Sequence, residues 1–328
     1  MDEFDLSDSV PLQIETCQKL LVWCQTERRD ILKRSLEAIL IKRYLTCGSF
    51  SDAISLITSL SKELKKLDDK VGLMEVQLLE SRTFFHLKNI PKAKAALTSA
   101  RASANSIFCP PNLQAALDMQ SGILHAEEKD FKTAYSYFYE AFDAYFNMSN
   151  YEAIHALKYM ILCKIMLNST DEIQAILAGK SAIKYGGPSI DALKQIAVAY
   201  KNRSLAQFDL AMKSNKAVLL DDPIIRSHLT DLYETLLEQN ILRVVEPYTV
   251  IEVEHIAKVV GLERSMIEKK ISQMILDNVL FGVIDEGNGC LELYEIEQKN
   301  VTFENLLGTV QQADLVLDAL FEKSKKIL

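Results

Sequence analysis

The sequence predicts an all-α protein, on three observations. Gly 11 and Pro 7 in 328 residues are too few turn formers for a turn-rich β architecture. Apolar residues, 48% of the chain, recur at three- and four-residue spacing through long segments. A self-similar stretch also returns about every forty residues, the mark of a repeat architecture.

The repeat is visible in three segments. "CGSFSDAISLI", "LKNIPKAKAAL" and "EKDFKTAYSYF" place Phe50, Ile90 and Phe131 at spacings of 40 and 41, each followed three residues later by Ala53, Ala93 or Ala134. A fainter fourth copy, "LNSTDEIQAIL", puts Thr170 and Ile173 in register. Each site lies between two helical patterns. Leu32, Leu36, Ile39, Leu40 and Tyr44 share a face before the first; Ile54, Ile57, Leu60, Leu64 and Leu67 share one after it. Gly48 suits a helix end and Ser51 suits a helix cap. The small repeated residue lets paired helices approach closely. Each unit is a helical hairpin that buries its apolar stripe only against stacked neighbours, so the units form an α-solenoid of tetratricopeptide-like hairpins. A period above ~34 residues predicts helices longer than the usual repeat has. The stripe Tyr135, Phe138, Phe142, Tyr145 reads as solenoid core, with a peptide groove as the alternative. Beyond Gly186-Gly187-Pro188, Ser189 suits a cap, and Asp222-Pro223 starts a long helix through Asn240.

Residues 253–295 predict a different module. "VEHIAKVVG" reads as a helix ended by Gly261. A second helix follows, with Ser265 and Glu268 as a capping box and Ile267, Ile271, Met274 and Ile275 on its buried face. Gly287-Asn288-Gly289 then supplies the positive-φ residues of a tight β-hairpin. Helix, turn, helix and hairpin make a winged helix. Its charge decides against DNA. Residues 247–296 carry nine carboxylates against four bases, and the wing "DEGNG" is acidic where phosphate contacts need Lys or Arg. The module therefore predicts protein interaction, through the free edge of its hairpin.

The last helix carries a seam. Phe303, Leu306, Val310, Ala313, Leu317, Leu320, Ser324 and Ile327 alternate by three and four residues, with Leu307 and Phe321 widening the stripe. A seam of more than three heptads predicts bundling with partner helices. Arg28, Arg29, Lys33, Arg34, Lys42 and Arg43 give the first helix a basic surface within a chain of net charge −8. That surface is either a solvated face or a contact for an acidic neighbour. The interface candidates are Leu306, Val310, Leu317, Leu320, Phe321, Arg29 and Lys33.

No catalytic, cofactor or metal constellation emerges. "AGKS" lacks the glycine a phosphate loop needs, since Gln174 stands there. "GGPSID" has Asp191 where a nucleophile elbow needs glycine. His86, His125, His155, His228 and His255 form no metal-binding pair, and the six cysteines form no CxxC. No apolar run is long enough for a membrane span, and the acidic start "MDEFDLSDSV" is unlike a signal peptide. The expected chain is soluble, in a reducing compartment, with no enzyme activity, cofactor, nucleic acid or membrane partner.

Helical repeats, then a winged helix, then a long terminal helix resemble the PCI-domain family, the scaffold subunits of the proteasome lid, the COP9 signalosome and translation initiation factor three. The lid members are the nearer match, through "LVWCQTERRDILKRSLEAILIKRYLTCGSFSDAISLI", "SARASANSIFCPP", "GILHAEEKDFKTAYSYFYEAFDAY", "LEQNILRVVEPY" and "IEKKISQMILD". The likeness runs from about residue 18 to the end. It implies domains at 1–200 (repeats), 201–298 (PCI helical part and winged helix; about 134–298 in the broad sense) and 299–328 (C-terminal helix). It further implies a non-catalytic scaffold of the regulatory particle lid, in a hetero-oligomer with other PCI subunits, the ATPase ring and the outer ring of the core particle. The implied setting is cytoplasm and nucleus, and the task ATP-dependent degradation of ubiquitinated proteins. The alternatives are a signalosome subunit and an RNA-binding PCI adaptor.

Overall fold

The computed structural model describes residues 10–179, 184–215, 222–285, 287–294 and 301–325. They form fifteen helices and one three-stranded sheet. The chain divides into two compact units, Met1–Glu234 and Thr235–Leu328.

The first unit contains α1 (Val10–Thr26), α2 (Asp30–Cys47), α3 (Phe50–Leu67), α4 (Lys70–His86), α5 (Ile90–Asn105), α6 (Pro111–Glu127), α7 (Phe131–Asn147), α8 (Ala153–Met166), α9 (Thr170–Ala178), α10 (Pro188–Lys201) and α11 (Leu205–Ser214). It also takes the start of α12 (Pro223–Val245). From α1 to α11 each helix packs on its sequence neighbours, and α4 also packs on α2 and α6, as in a stack of hairpins.

The repeat seen in the sequence is a repeated turn. Phe50, Ile90, Phe131 and Thr170 are the first residues of α3, α5, α7 and α9. Two residues before each, the backbone is left-handed: Gly48 (φ 78), Lys88 (φ 56), Lys129 (φ 65) and Asn168 (φ 59). The next N–H reaches back into the preceding helix, as in Asn89→Phe84 O at 2.9 Å and Asp130→His125 O at 3.0 Å. This closure satisfies carbonyls that a helix end would otherwise strand. Three residues into each new helix, Ala53, Ala93 and Ala134 are fully buried and Ile173 nearly so. The same turn recurs at Arg203 (φ 50), followed by Leu205 and buried Phe208, making a fifth hairpin, α10–α11. The sequence hid it because the spacing contracts and a large aromatic replaces the small residue.

Close approach is enforced beside these positions. The Ser81 hydroxyl donates to the Ala93 carbonyl at 2.9 Å, both residues buried. A Cβ on Gly122 would lie 2.6 Å from the Phe138 ring, so only glycine admits that ring between α6 and α7. Phe138, Phe142 and Tyr145 are buried and Tyr135 partly so, which makes the aromatic stripe core. Asp118, nearly buried, accepts from Arg101 at 2.6 Å and Gln114 at 3.1 Å, and Arg101 also donates to Tyr137 at 2.8 Å. That network joins α5, α6 and α7.

Several local expectations are corrected. Helices start one residue before the serines expected to cap them: Ser51 and Ser189 lie inside α3 and α10, behind Ser49 and Gly187. Leu32 and Leu67 are exposed, because each lies near a helix end beyond the reach of the neighbouring hairpin. A further helix, α1, precedes the basic segment. The long helix α12 runs past Asn240 to Val245.

The second unit carries the winged helix: β1 (Val250–Glu252), α13 (Val253–Val260), α14 (Arg264–Leu276), β2 (Gly282–Asp285) and β3 (Cys290–Leu293). The sheet is antiparallel in the order β1-β3-β2, pairing Ile251 and Ile284 with buried Leu291. Ile267, Ile271 and Met274 are buried as expected, and Gly261 ends α13 in the left-handed conformation (φ 78). The capping box does not form. Ser265 already lies within α14, and Glu268 accepts from Arg264 at 2.6 Å instead. In the wing, Gly289 has positive φ while Gly287 does not; the Asp285 carboxylate holds the turn, accepting from the Gly287 and Asn288 N–H groups at 3.0 and 3.4 Å. The strand β1 has no turn signal of its own in the sequence. Helix α15 (Val301–Lys325) follows.

Two predictions test this packing. Gly122→Ala should cost about 1–3 kcal/mol by overpacking, measured by denaturant unfolding, and Phe138→Leu in the same chain should recover part of that loss. Second, His228 is nearly buried with both ring nitrogens unpaired, edge-on to Phe131 at 6.0 Å. Burial pushes its pKa below the ordinary 6.5, against the opposing pull of Glu127 and Asp231. The unfolded chain therefore takes up the extra proton first. Stability is full above about pH 6.5 and falls as pH drops from there toward the depressed folded value. Thermal melts of His228→Leu between pH 7.5 and 5 should show a shallower decline than those of the parent, with the remainder including His86, also lowered by burial and by Arg82.

Candidate protein-interaction surfaces

Helix α15 is the most conspicuous surface. Its 25 residues span roughly 37 Å at 1.5 Å per residue. Every described side chain on it is exposed, including the candidates Leu306 (63%), Val310, Leu317 (64%), Leu320 and Phe321. Phe303 and Leu307 extend the same stripe, while Ile327 lies outside the described residues. Among the described residues, the seam is therefore uncovered. Leu315, outside the seam, is exposed on the far side of the helix, while exposed Val316 flanks the seam beside Leu320. Apolar surface on two sides of one helix calls for partners on both, as the interior of a bundle supplies.

The sheet offers a second surface. Among the described residues, in the order β1-β3-β2, β2 has one unpaired edge; Val283 within it and Phe281 beside it are exposed, as are Leu276 and Val279 just before it. Unpaired strand N–H and C=O groups next to exposed apolar side chains form a template for a partner strand.

The basic segment behaves differently from its sequence appearance. Arg29 is exposed at the turn before α2. Lys33 is turned inward, pairing with Glu63 at 3.2 Å and Glu37 at 3.6 Å. Burial works against its charge, but the two carboxylates outweigh that and hold its pKa above the ordinary value. Lys42 pairs with Glu75 at 2.7 Å. Much of the basic charge is thus spent joining α2 to α3 and α4, and the exposed remainder centres on Arg28 and Arg29.

The described residues hold no metal-binding group of three or more His, Cys, Asp or Glu. All six cysteines are free thiols. Burial pushes Cys163 up to about 12, and raises Cys17 and Cys109, which leaves them as poor nucleophiles. Among the described residues, no helix is long and apolar enough to cross a membrane.

Stacked helical hairpins leading into an acidic winged helix define the class, a PCI-domain protein, and the PCI domain model matches residues 212–295. The chain is 49% identical to the probable 26S proteasome regulatory subunit rpn6 of Schizosaccharomyces pombe, over 98% of this chain and 76% of that protein. It is 44% identical to the 26S proteasome non-ATPase regulatory subunit 11 homolog of Arabidopsis thaliana, over 97% of this chain and 76% of that protein. Identity to the 26S proteasome regulatory subunit RPN6 of Saccharomyces cerevisiae is also 44%, covering 97% and 74%. The chain belongs to this family of proteasome regulatory subunits, Rpn6 or non-ATPase subunit 11. Among solved structures, BtubC (BKLC) from P. vanneervenii shares the fold at a TM-score of 0.50 with 13% identity, over 68% of this chain and 93% of that one.

Burying a leucine is worth about 1.5–3 kcal/mol, so losing two anchors should abolish helix association. Leu317→Asp with Leu320→Asp should leave the circular dichroism and melting of the isolated chain unchanged, because both side chains are already in solvent. The same variant should be missing from the assembled complex on native gels.

Proposed function

We propose that the chain is a non-catalytic scaffold subunit of the lid of the proteasome regulatory particle, stabilising the lid–ATPase–core assembly for degradation of ubiquitinated proteins. The observation that carries this reading is the uncovered apolar helix α15, in a chain whose relatives are named proteasome regulatory subunits. Other PCI subunits of the lid would cover α15 and extend the sheet from β2. The helical repeats would reach the ATPase ring and the outer ring of the core particle, and the assembly would work in cytoplasm and nucleus. The relatives' names favour the lid over the signalosome. The acidic wing, where Asp285 caps the turn with its carboxylate, disfavours an RNA adaptor.

Affinity purification of the tagged chain with mass spectrometry should recover lid and ATPase subunits. Recovery of signalosome subunits in their place would contradict the proposal, as would retention of RNA on filters at low salt.

A further inference from the structure

A groove of about 480 Å³ runs between α3 and α5, with α4 as its floor. Small side chains open it: Ala95, Ala96 and Ser99 on the α5 wall, Thr58 and Ser61 on the α3 wall. One repeat further on, the corresponding space is filled. Ser61, Gln77 and Ala96 stand 40 or 41 residues before Arg101, Asp118 and Tyr137, the three side chains that join α5, α6 and α7. There the Tyr137 ring stacks on His125, with centroids 5.4 Å apart. The residue one period before His125 is Phe84, which lines the groove and is only half-buried. Phe84 keeps the stacking surface, while the ring that would use it is cut down to the methyl of Ala96.

The rim of this groove is basic, and that of the next repeat is not. Lys62, Lys65 and Lys92 line it and are exposed, whereas the residues one period on, Ala102, Asn105 and Thr133, carry no charge. Among the described residues, none of these three ammonium groups makes a hydrogen bond or salt bridge, while Lys33, Lys42 and Lys94 each pair with a glutamate. Lys92 instead lies over the Phe84 ring at 5.6 Å. Glu80 is the one carboxylate among the lining residues, and burial raises its pKa against the pull of Lys65. At about 0.15 M salt, charges are screened beyond roughly 8 Å, so these lysines and not the chain's net charge of −8 set the local field. We infer that the groove binds an extended acidic segment of a partner protein. An aromatic side chain of that segment stacks on Phe84, in the space Tyr137 fills one repeat on, and carboxylates on either side of it meet Lys62, Lys65 and Lys92. Glu80 on the floor disfavours a run of phosphates, and one ring surface suits one side chain better than a row of stacked bases. The site uses neither α15 nor the strand edge, so it stands or falls apart from the scaffold reading.

The test is fluorescence anisotropy on the full chain with labelled, end-blocked peptides. The probe is Glu-Glu-Phe-Glu-Glu, and its controls are Gln-Gln-Phe-Gln-Gln and Glu-Glu-Ala-Glu-Glu. The ion pairs and the stacked ring each predict about tenfold or more tighter binding of the probe than of the control that lacks them. Lys62→Glu with Lys65→Glu should remove the preference for Glu over Gln without moving the melting temperature, since both side chains are exposed. Lys66→Glu, on the same helix but outside the groove, should leave most of the affinity. Ala96→Tyr should supply the ring from within and exclude the probe. Phe84→Leu should remove the preference for Phe over Ala, which keeps the ring contact testable if Ala96→Tyr fails to fold. Glu80→Gln should strengthen binding of the probe. Equal binding of all three peptides, or none, would overturn the inference. So would a loss from Lys66→Glu as large as that from Lys62→Glu alone, or tighter binding of an oligouridylate than of the probe.

Discussion

Everything in the first unit depends on how closely two helices can approach at one repeated point. A methyl side chain at Ala53, Ala93 and Ala134, each fully buried, brings the second helix of a hairpin against the first. The left-handed turn two residues before each helix fixes its entry. Neither device suffices alone. A left-handed non-glycine residue costs roughly 1–2 kcal/mol, and the stack of Lys88, Lys129 and Asn168 turns persists because the burial that follows each one outweighs it. The ion pairs and the Arg101–Asp118–Tyr137 network sit around these contacts and set register more than they supply stability.

That constraint explains which surfaces are left over. A stack of hairpins buries the inner stripe of each helix and leaves ends and outer faces in water, so Leu32 and Leu67 are exposed without special purpose. Helix α15 differs. It stands outside the winged-helix packing with apolar residues on opposite sides, and no solvated helix has reason to carry them. Its surface is a cost to the free chain that assembly recovers.

The period, the winged helix and the terminal seam were legible because they rest on residue spacing. Spacing is local, and the relevant side chains are aliphatic or aromatic. What stayed hidden depended on other things. Left-handed lysines such as Lys88 and Lys129 carry no turn signature. The capping roles of Ser51, Ser189 and Ser265 failed because helix starts moved by one or two residues under tertiary packing. Lys33 has the spacing of surface charge, and its partner Glu63 lies across the hairpin, thirty residues away and outside any local pattern.

Hydrogen exchange of helix α15, free and assembled, tests the central claim most directly. In the isolated chain its amides should exchange quickly for a helix of its length, since tertiary cover is lacking, while Ala93 and Ala134 remain protected. On assembly with the other subunits, α15 should become about a hundredfold or more slower, as burial of both apolar sides requires. Unchanged exchange along α15 after assembly would contradict the account.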